Sequence, residues 1–317
     1  MVIDCHVHVS ACTPGHGVMS ETLQRGIAFR FLRWKFGLLG IDERTERAFE
    51  KILADTLSET AWIDAAVVLA FDAVYDRDGR YDVAKTHFYV TNDYVIELAR
   101  RHRKMLFGAS VHPYRKDAIA ELERCVKAGA VLLKWLPITQ DFDPSDPRCF
   151  EFYEALAHHK LPLLSHTGGE KSLPQLNPGV ADPKLLIPAL ERGVTVIAAH
   201  CGTRSAYGEQ DYVPEFMQLA REYEHFYGDT SAINLPPRWH AYDLVMNDSV
   251  VSKKLIHGSD WPIISIPPGG KIGWGEAMQL MFESNWIRRD VMVKQKLGFD
   301  RAYWERAAKI LKLAPVT

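Results

Sequence analysis

Val2-Ile3-Asp4-Cys5-His6-Val7-His8 begins the sequence with a short apolar run that carries two histidines one residue apart. Successive side chains of a strand point to opposite faces, so His6 and His8 share a face, about 6.6 Å apart along the strand. Two imidazoles so placed can close on one metal ion, since zinc–nitrogen bonds are about 2.0–2.1 Å. An H-x-H also arises in strands that bind nothing. The rest of the chain decides between the readings.

Further apolar runs of the continuous kind, expected where both faces of a strand are buried, recur at 65–71, 105–111, 131–136, 161–165, 194–199, 226–230 and 254–258. Helical patterns lie between and before them, at 42–59, 92–103, 116–128, 147–160, 183–192, 214–225 and 237–247. Asp146-Pro147 and Asp182-Pro183 are helix starts, an N-cap followed by a first-turn proline. Eight strands alternating with helices predict a closed parallel (β/α)8 TIM barrel rather than an open sheet. One unit over residues 1–317 is the simplest organisation, with two or three extra helices in the tail, 275–313.

One segment breaks the alternation. Residues 10–41 are too long for an ordinary connection. Within them, 26–41 mixes Phe29, Phe31, Leu32, Phe36, Leu38 and Leu39 with Arg30, Arg33 and Lys35. This predicts an amphipathic helix or hairpin lying over the barrel as a lid, or against a second subunit in a homodimer. Attachment to a membrane surface is the weakest of the three readings.

Bulk properties narrow the function. Hydrophobic residues are 47% of 317 and charged residues 25%, and the net charge is -2 without a long run of one sign. Neither nucleic acid nor an anionic membrane is indicated as a partner. With no leader-like start and no apolar run of about 18 residues, the sequence reads as cytoplasmic. Five cysteines without C-x-x-C spacing argue against a disulfide framework. No G-x-S-x-G elbow, Walker-type phosphate loop or G-x-G-x-x-G fingerprint occurs.

Polar residues fall where such barrels place their active sites, at the C-terminal ends of the strands. His6 and His8 end the first strand, Lys134 lies in the fourth, His166 ends the fifth, His200 ends the sixth and Asp260 follows the eighth. Each has an ordinary structural reading on its own, but their shared rim does not. Histidine and carboxylate ligands suit zinc, and manganese or iron less specifically. Such an ion lowers the pKa of water and polarises a carbonyl, and Asp260 is placed to move the proton.

The motifs His6-Val-His8, Ser165-His166-Thr167, His200-Cys-Gly and Gly258-Ser-Asp260-Trp-Pro resemble those of the amidohydrolase superfamily. The resemblance is closer to its family-2 branch of TIM-barrel metal-dependent hydrolases. It implies that His6, His8, His166 and Asp260 hold the catalytic metal. His200 would be a ligand of a second ion in dinuclear members, and would polarise or protonate the substrate in mononuclear ones. Asp229-Thr-Ser231 also looks like the family's pattern at strand seven. Lys134 stands open between a carboxylated bridge of two ions, a cationic substrate ligand and a structural ion pair.

Arg204 and Lys171, on loops after His200 and His166, suggest a carboxylate- or phosphate-bearing small-molecule substrate if they face the pocket. Trp261 is either an apolar wall or core. His112 could line the pocket. His257 reads as structural, and His158-His159 as solvated. Strand parity predicts that Cys5 and Cys201 point away from the pocket. Gly168-Gly169 and Pro268-Gly269-Gly270 read as flexible loops around an open site.

The leading expectation is a metal-dependent hydrolase that cleaves an amide, lactone or related ester with one or two ions. The alternative is a non-oxidative decarboxylase or hydratase on the same ligands. A barrel that merely binds a ligand or a structural metal is the third reading.

Overall fold

The computed structural model describes residues 1–38 and 40–314. Ten strands are present among them: β1 Ile3–His8, β2 Gly17–Met19, β3 Ala65–Leu69, β4 Phe88–Val90, β5 Met105–Ala109, β6 Leu132–Trp135, β7 Leu163–His166, β8 Val196–Ala199, β9 Phe226–Asp229 and β10 Leu255–Ile256. Eight form one parallel sheet in the order β1-β3-β5-β6-β7-β8-β9-β10. Its two ends meet, as Cys5 N–H donates to the His257 carbonyl (3.1 Å), Asp260 N–H to His6 (2.8 Å) and His8 N–H to Trp261 (2.7 Å). The predicted (β/α)8 TIM barrel is the observed fold.

Two apolar layers follow from the pleat. Ile3, Leu69, Leu132, Leu164, Ile197 and Ile256 fill the barrel interior, where Ala307 and Ala308 of the Arg301–Ile310 helix also pack. Val7, Val68, Leu133, Leu163 and Val196 face outward under the helices. Burying strands on both faces is what made their sequences continuous rather than alternating.

β1 departs from that regularity. Asp4 pairs with Ala66 and Val7 with Val68, so two residues, Cys5 and His6, oppose the single Val67. This bulge turns consecutive side chains to one side. Cys5 therefore joins the interior cluster, not the outer layer that simple parity predicted. His6 lies just above it, and Asp4 is left among polar groups between barrel and helix. Cys201 does lie in the outer layer, as expected.

The Asp4 carboxylate is fully buried and fastens both ends of the sheet. Its Oδ1 accepts from the backbone N–H of His6 (3.2 Å) and of Ser259 (2.9 Å). Burial raises the Asp4 pKa to about 7, although hydrogen bonds from Ser259 oppose the shift. A carboxyl whose pKa is higher folded than unfolded stabilises the fold fully below about 4 and loses that contribution as pH rises through about 7. Asp4→Asn, which keeps an acceptor oxygen without a titration, should flatten the stability profile over this window. Melting temperature against pH for both proteins checks it, and parallel curves would refute the assignment.

Within the inserted segment, a 10-residue helix, Ile27–Phe36, confirms the amphipathic reading. It buries none of its residues. Phe29, Leu32 and Phe36 are half-buried on its inner side, while Ile27 and Trp34 are exposed on the outer one. Gly26 and Gly37 bound it, the latter left-handed at φ 65°. Leu39 lies outside the described residues. β2 pairs antiparallel with β4 and ties the insert to the segment before β5. Runs of three residues carry too little periodicity for this small sheet to be foreseen.

The Glu43–Glu59 helix starts as predicted, Asp42 Oδ1 accepting from Thr45 N–H at 2.9 Å. Asp146 and Asp182 cap their short helices likewise. The helix expected over 183–192 is two pieces, Pro183–Leu186 and Ile187–Glu191, because Pro188 brings no N–H to a continuous ladder. The tail holds three helices, Trp274–Met281, Trp286–Lys296 and Arg301–Ile310. No described helix is long and apolar enough to cross a membrane.

Candidate metal centre

Three ligand atoms converge where β1 meets the end of β10. His6 Nε2 and His8 Nε2 are 3.1 Å apart, and each is 3.2 Å from Asp260 Oδ1. Asp229 accepts from His6 Nδ1 at 2.7 Å. A carboxylate can only accept here, so the proton is on Nδ1 and the Nε2 lone pair faces the other two atoms. His8 Nε2–H can donate to Asp260 Oδ1, and Lys134 Nζ donates to His6 Nε2 at 3.0 Å, so hydrogen bonds alone can hold this approach. It is also the spacing of ligands about 2.0–2.2 Å from one ion.

Backbone strain helps aim these groups. His200 (φ 60°) and Asp260 (φ 65°) both follow barrel strands in the left-handed conformation, as does Cys201 (φ 53°). Such conformations cost on the order of 1–3 kcal/mol each and cluster at functional sites. His200 donates from Nδ1 to the Ser231 carbonyl at 2.9 Å, which leaves its Nε2 unprotonated. The four imidazoles form a chain, with ring centroids 5.0 Å apart for His6–His8, 5.2 Å for His6–His200 and 5.0 Å for His166–His200. His166 is buried, and its Nε2 has no hydrogen-bond partner among the described residues. Its ring lies 5.0 Å from that of His200, but it is not among the ligand atoms that converge with Asp260.

A second grouping, His6, His200 and Asp229, is a hydrogen-bonding node instead. Asp229 Oδ2 serves His6, while Oδ1 accepts from His200 N–H (2.8 Å), Ser231 N–H (3.0 Å) and the Ser231 hydroxyl. Its acceptors are spent on orienting ligands, the usual task of a carboxylate behind a metal-bound histidine.

Charges follow from burial. Desolvation, and then Lys134, hold His6 well below the usual imidazole range. Desolvation also lowers His166 and His200, so all three imidazoles are neutral at pH 7. Burial works against ionising Asp260, but His6, the hydrogen bond from His8 and Lys134 outweigh it, and the carboxyl stays well below its ordinary value. Lys134, buried with its Nζ donating to His6 Nε2 at 3.0 Å, is lowered to about 8 because desolvation exceeds the pull of Asp229 and Asp260.

Structure and sequence part company at the edge of the site. Lys171 is exposed and paired with Glu209 at 2.7 Å. Arg204 donates to the Pro237 carbonyl at 3.2 Å and lies 3.9 Å from Asp211. Neither lines the cavity; Glu209 and the Pro237 carbonyl, each on the following loop, take them instead. Trp261 is core, its ring 5.7 Å from Phe36 and 5.0 Å from Phe49. His112 is satisfied by the Gln140 carbonyl (2.9 Å) and Tyr114 N–H (3.1 Å), away from the cavity. His257 sits beside Asp4 and Asp290, and His158-His159 ends a helix near solvent. Gly168 (φ 78°) is a tight junction, not a flexible loop. A Cβ there would come within 2.2 Å of the Thr203 carbonyl.

Two buried residues had no assignment from sequence. Glu170 lines the cavity with its Oε2 3.9 Å from His166 Nδ1, and burial raises its pKa. Arg238 donates to the Gly169 carbonyl at 3.0 Å, while its Nε and Nη1 have no hydrogen-bond partner among the described residues. Glu170, four residues past His166, could have been suspected from that spacing. Arg238, in a Pro-Pro-Arg turn beyond β9, carried no signal.

No curated protein sequence matches the chain. Solved structures share the fold at low identity. An uncharacterized TIM-barrel protein from Bordetella bronchiseptica is 15% identical, TM-score 0.59, over 94% of this chain and 99% of that one. A probable 2-pyrone-4,6-dicarboxylic acid hydrolase from Acinetobacter baumannii is 14% identical, TM-score 0.61, over 98% and 99%. A dihydroxybenzoic acid decarboxylase from Polaromonas sp. JS666, solved with bound manganese and 2-nitroresorcinol, is 16% identical, TM-score 0.55, over 98% and 97%. A sequence model described as amidohydrolase matches residues 3–294, and the chain belongs to that family.

Proposed function

We propose that the protein is a metal-dependent hydrolase that cleaves an amide, lactone or related ester at the rim of the barrel. The observation that carries this is the Asp260 carboxylate, 3.2 Å from His6 Nε2 and His8 Nε2 at the floor of the cavity. A divalent ion held by His6, His8, Asp260 and His166 supplies a Lewis acid and makes water more acidic. Zinc suits this donor set, and manganese or iron is the alternative. Asp260 accepts the proton of the attacking water and returns it to the leaving group. His200, with Nδ1 fixed by Ser231, offers a neutral Nε2 toward the substrate. One ion per chain fits the spent acceptors of Asp229, and Lys134 then acts as a cation beside the substrate.

The rival reading is a non-oxidative decarboxylase, and the partnerless nitrogens of Arg238 together with Lys134 favour it, since buried cations can receive a carboxylate. Both residues are buried, and like Lys171 and Arg204 neither is among those that line the cavity. The metal-loaded protein, assayed against esters, lactones, amides and aromatic carboxylates, separates the two. Acid release without carbon dioxide is the expected result. Carbon dioxide with uptake of a proton by the product would transfer the assignment to decarboxylation. A protein that binds no metal would overturn both.

A further inference from the structure

Above the metal centre lies a cavity of about 310 Å³ whose polar groups are unevenly placed. His8, His166, His200, Asp260 and Glu170 gather at its floor. The walls are almost wholly apolar. Phe29, Leu32 and Leu38 of the insert form one side with Phe49, and Leu173 and Ile264 face them. The wall charges are committed elsewhere. Glu46 accepts from the N–H groups of Cys12 (2.8 Å) and Thr13 (2.9 Å) and bonds His16. Arg33 donates to the Leu38 carbonyl at 3.5 Å.

Such walls reject a second charged group on the substrate. Burying a polar group without a partner costs about 1–3 kcal/mol in proteins, and an unpaired charge costs more. They reward apolar surface instead, by roughly fourfold in affinity for each buried methylene.

We propose that the substrate is an amphiphile, with one reacting acyl or carboxyl group at the histidine–aspartate floor and an uncharged apolar body lying beneath the Ile27–Phe36 helix. The cavity holds a body of about ten to fifteen non-hydrogen atoms. The insert is thus the specificity element of the barrel. This rests on the reading of the floor as the reacting end, and on nothing about which bond is cut there.

The test is binding, so that it does not depend on turnover. Benzoate, 4-butylbenzoate, 4-octylbenzoate and terephthalate are titrated calorimetrically into the metal-loaded protein. Affinity should rise about threefold or more per methylene until the cavity is filled, and terephthalate should bind more weakly than benzoate. Leu32→Glu places a carboxylate in the wall at a half-buried position of the insert helix. It should abolish the chain-length gradient while metal content and circular dichroism stay unchanged. A flat series, a preference for terephthalate, or a gradient that survives Leu32→Glu would overturn the proposal. A steep gradient in a protein that holds no metal would leave it standing and remove the hydrolase reading instead.

Discussion

Asp260→Asn should lower kcat about a thousandfold with the metal still bound. The amide retains an oxygen where Oδ1 stood, 3.2 Å from the two histidine nitrogens, so the ligand set stays nearly complete. It cannot accept a proton from water, and proton transfer by a positioned side chain contributes about 10²–10⁴ in rate. The left-handed backbone at residue 260 tolerates asparagine as well as aspartate. Steady-state kinetics beside elemental analysis reads both parts. A loss below tenfold with full metal content would show that Asp260 only ligates, and that Glu170 or His200 moves the proton.

The second large effect is on the metal itself. Purified protein should contain about one ion per chain, and His6→Ala none. His6 is the partner of Asp229 through Nδ1, and its Nε2, which accepts from Lys134 here, would be the ligand atom once an ion displaces that hydrogen bond. Removing His6 leaves the Asp229 carboxylate buried without its imidazole, at a further cost of about 1–3 kcal/mol in stability. His8→Ala separates the two consequences, since His8 is partly exposed and its loss leaves no such orphan. It should lose the metal and keep the melting temperature of the metal-free parent. Asp229→Asn should weaken metal binding by about 10–100-fold while every ligand stays in place. Two ions per chain in the parent would revive a carboxylated Lys134.

What could be read from the sequence tracks the range of the interactions involved. Strands β3 and β8 announced themselves because burial on two faces demands apolar side chains at every position. Their order followed from alternation with helices. The candidate ligands were legible because each ends such a run, and one barrel has one rim of strand C-termini. What escaped depends on single-residue geometry or on distant chain. The bulge at Cys5-His6 leaves no mark in an apolar strand, and it reversed the side on which Cys5 lies. Lys171 and Arg204 looked available because a linear sequence does not show Glu209 and Asp211 arriving beside them. Arg238 went unnoticed because its burial is decided by Gly169, on another loop. Polar residues on loops are placed by partners, and partners are tertiary.

The insert helix has a thermal consequence. Ten residues are fewer than an isolated helix needs to persist in water, this one has no side-chain N-cap, and none of its residues is buried. Its amides should therefore exchange with solvent through local opening, at far lower free energy than those of the barrel strands. Heat would melt the roof before the barrel, and turnover should decline at temperatures where the global fold is still intact. A bound apolar ligand supplies the contact that Phe29 and Leu32 lack, so it should close the gap between the two transitions. The temperature at which this protein stops working is set by its least buried helix.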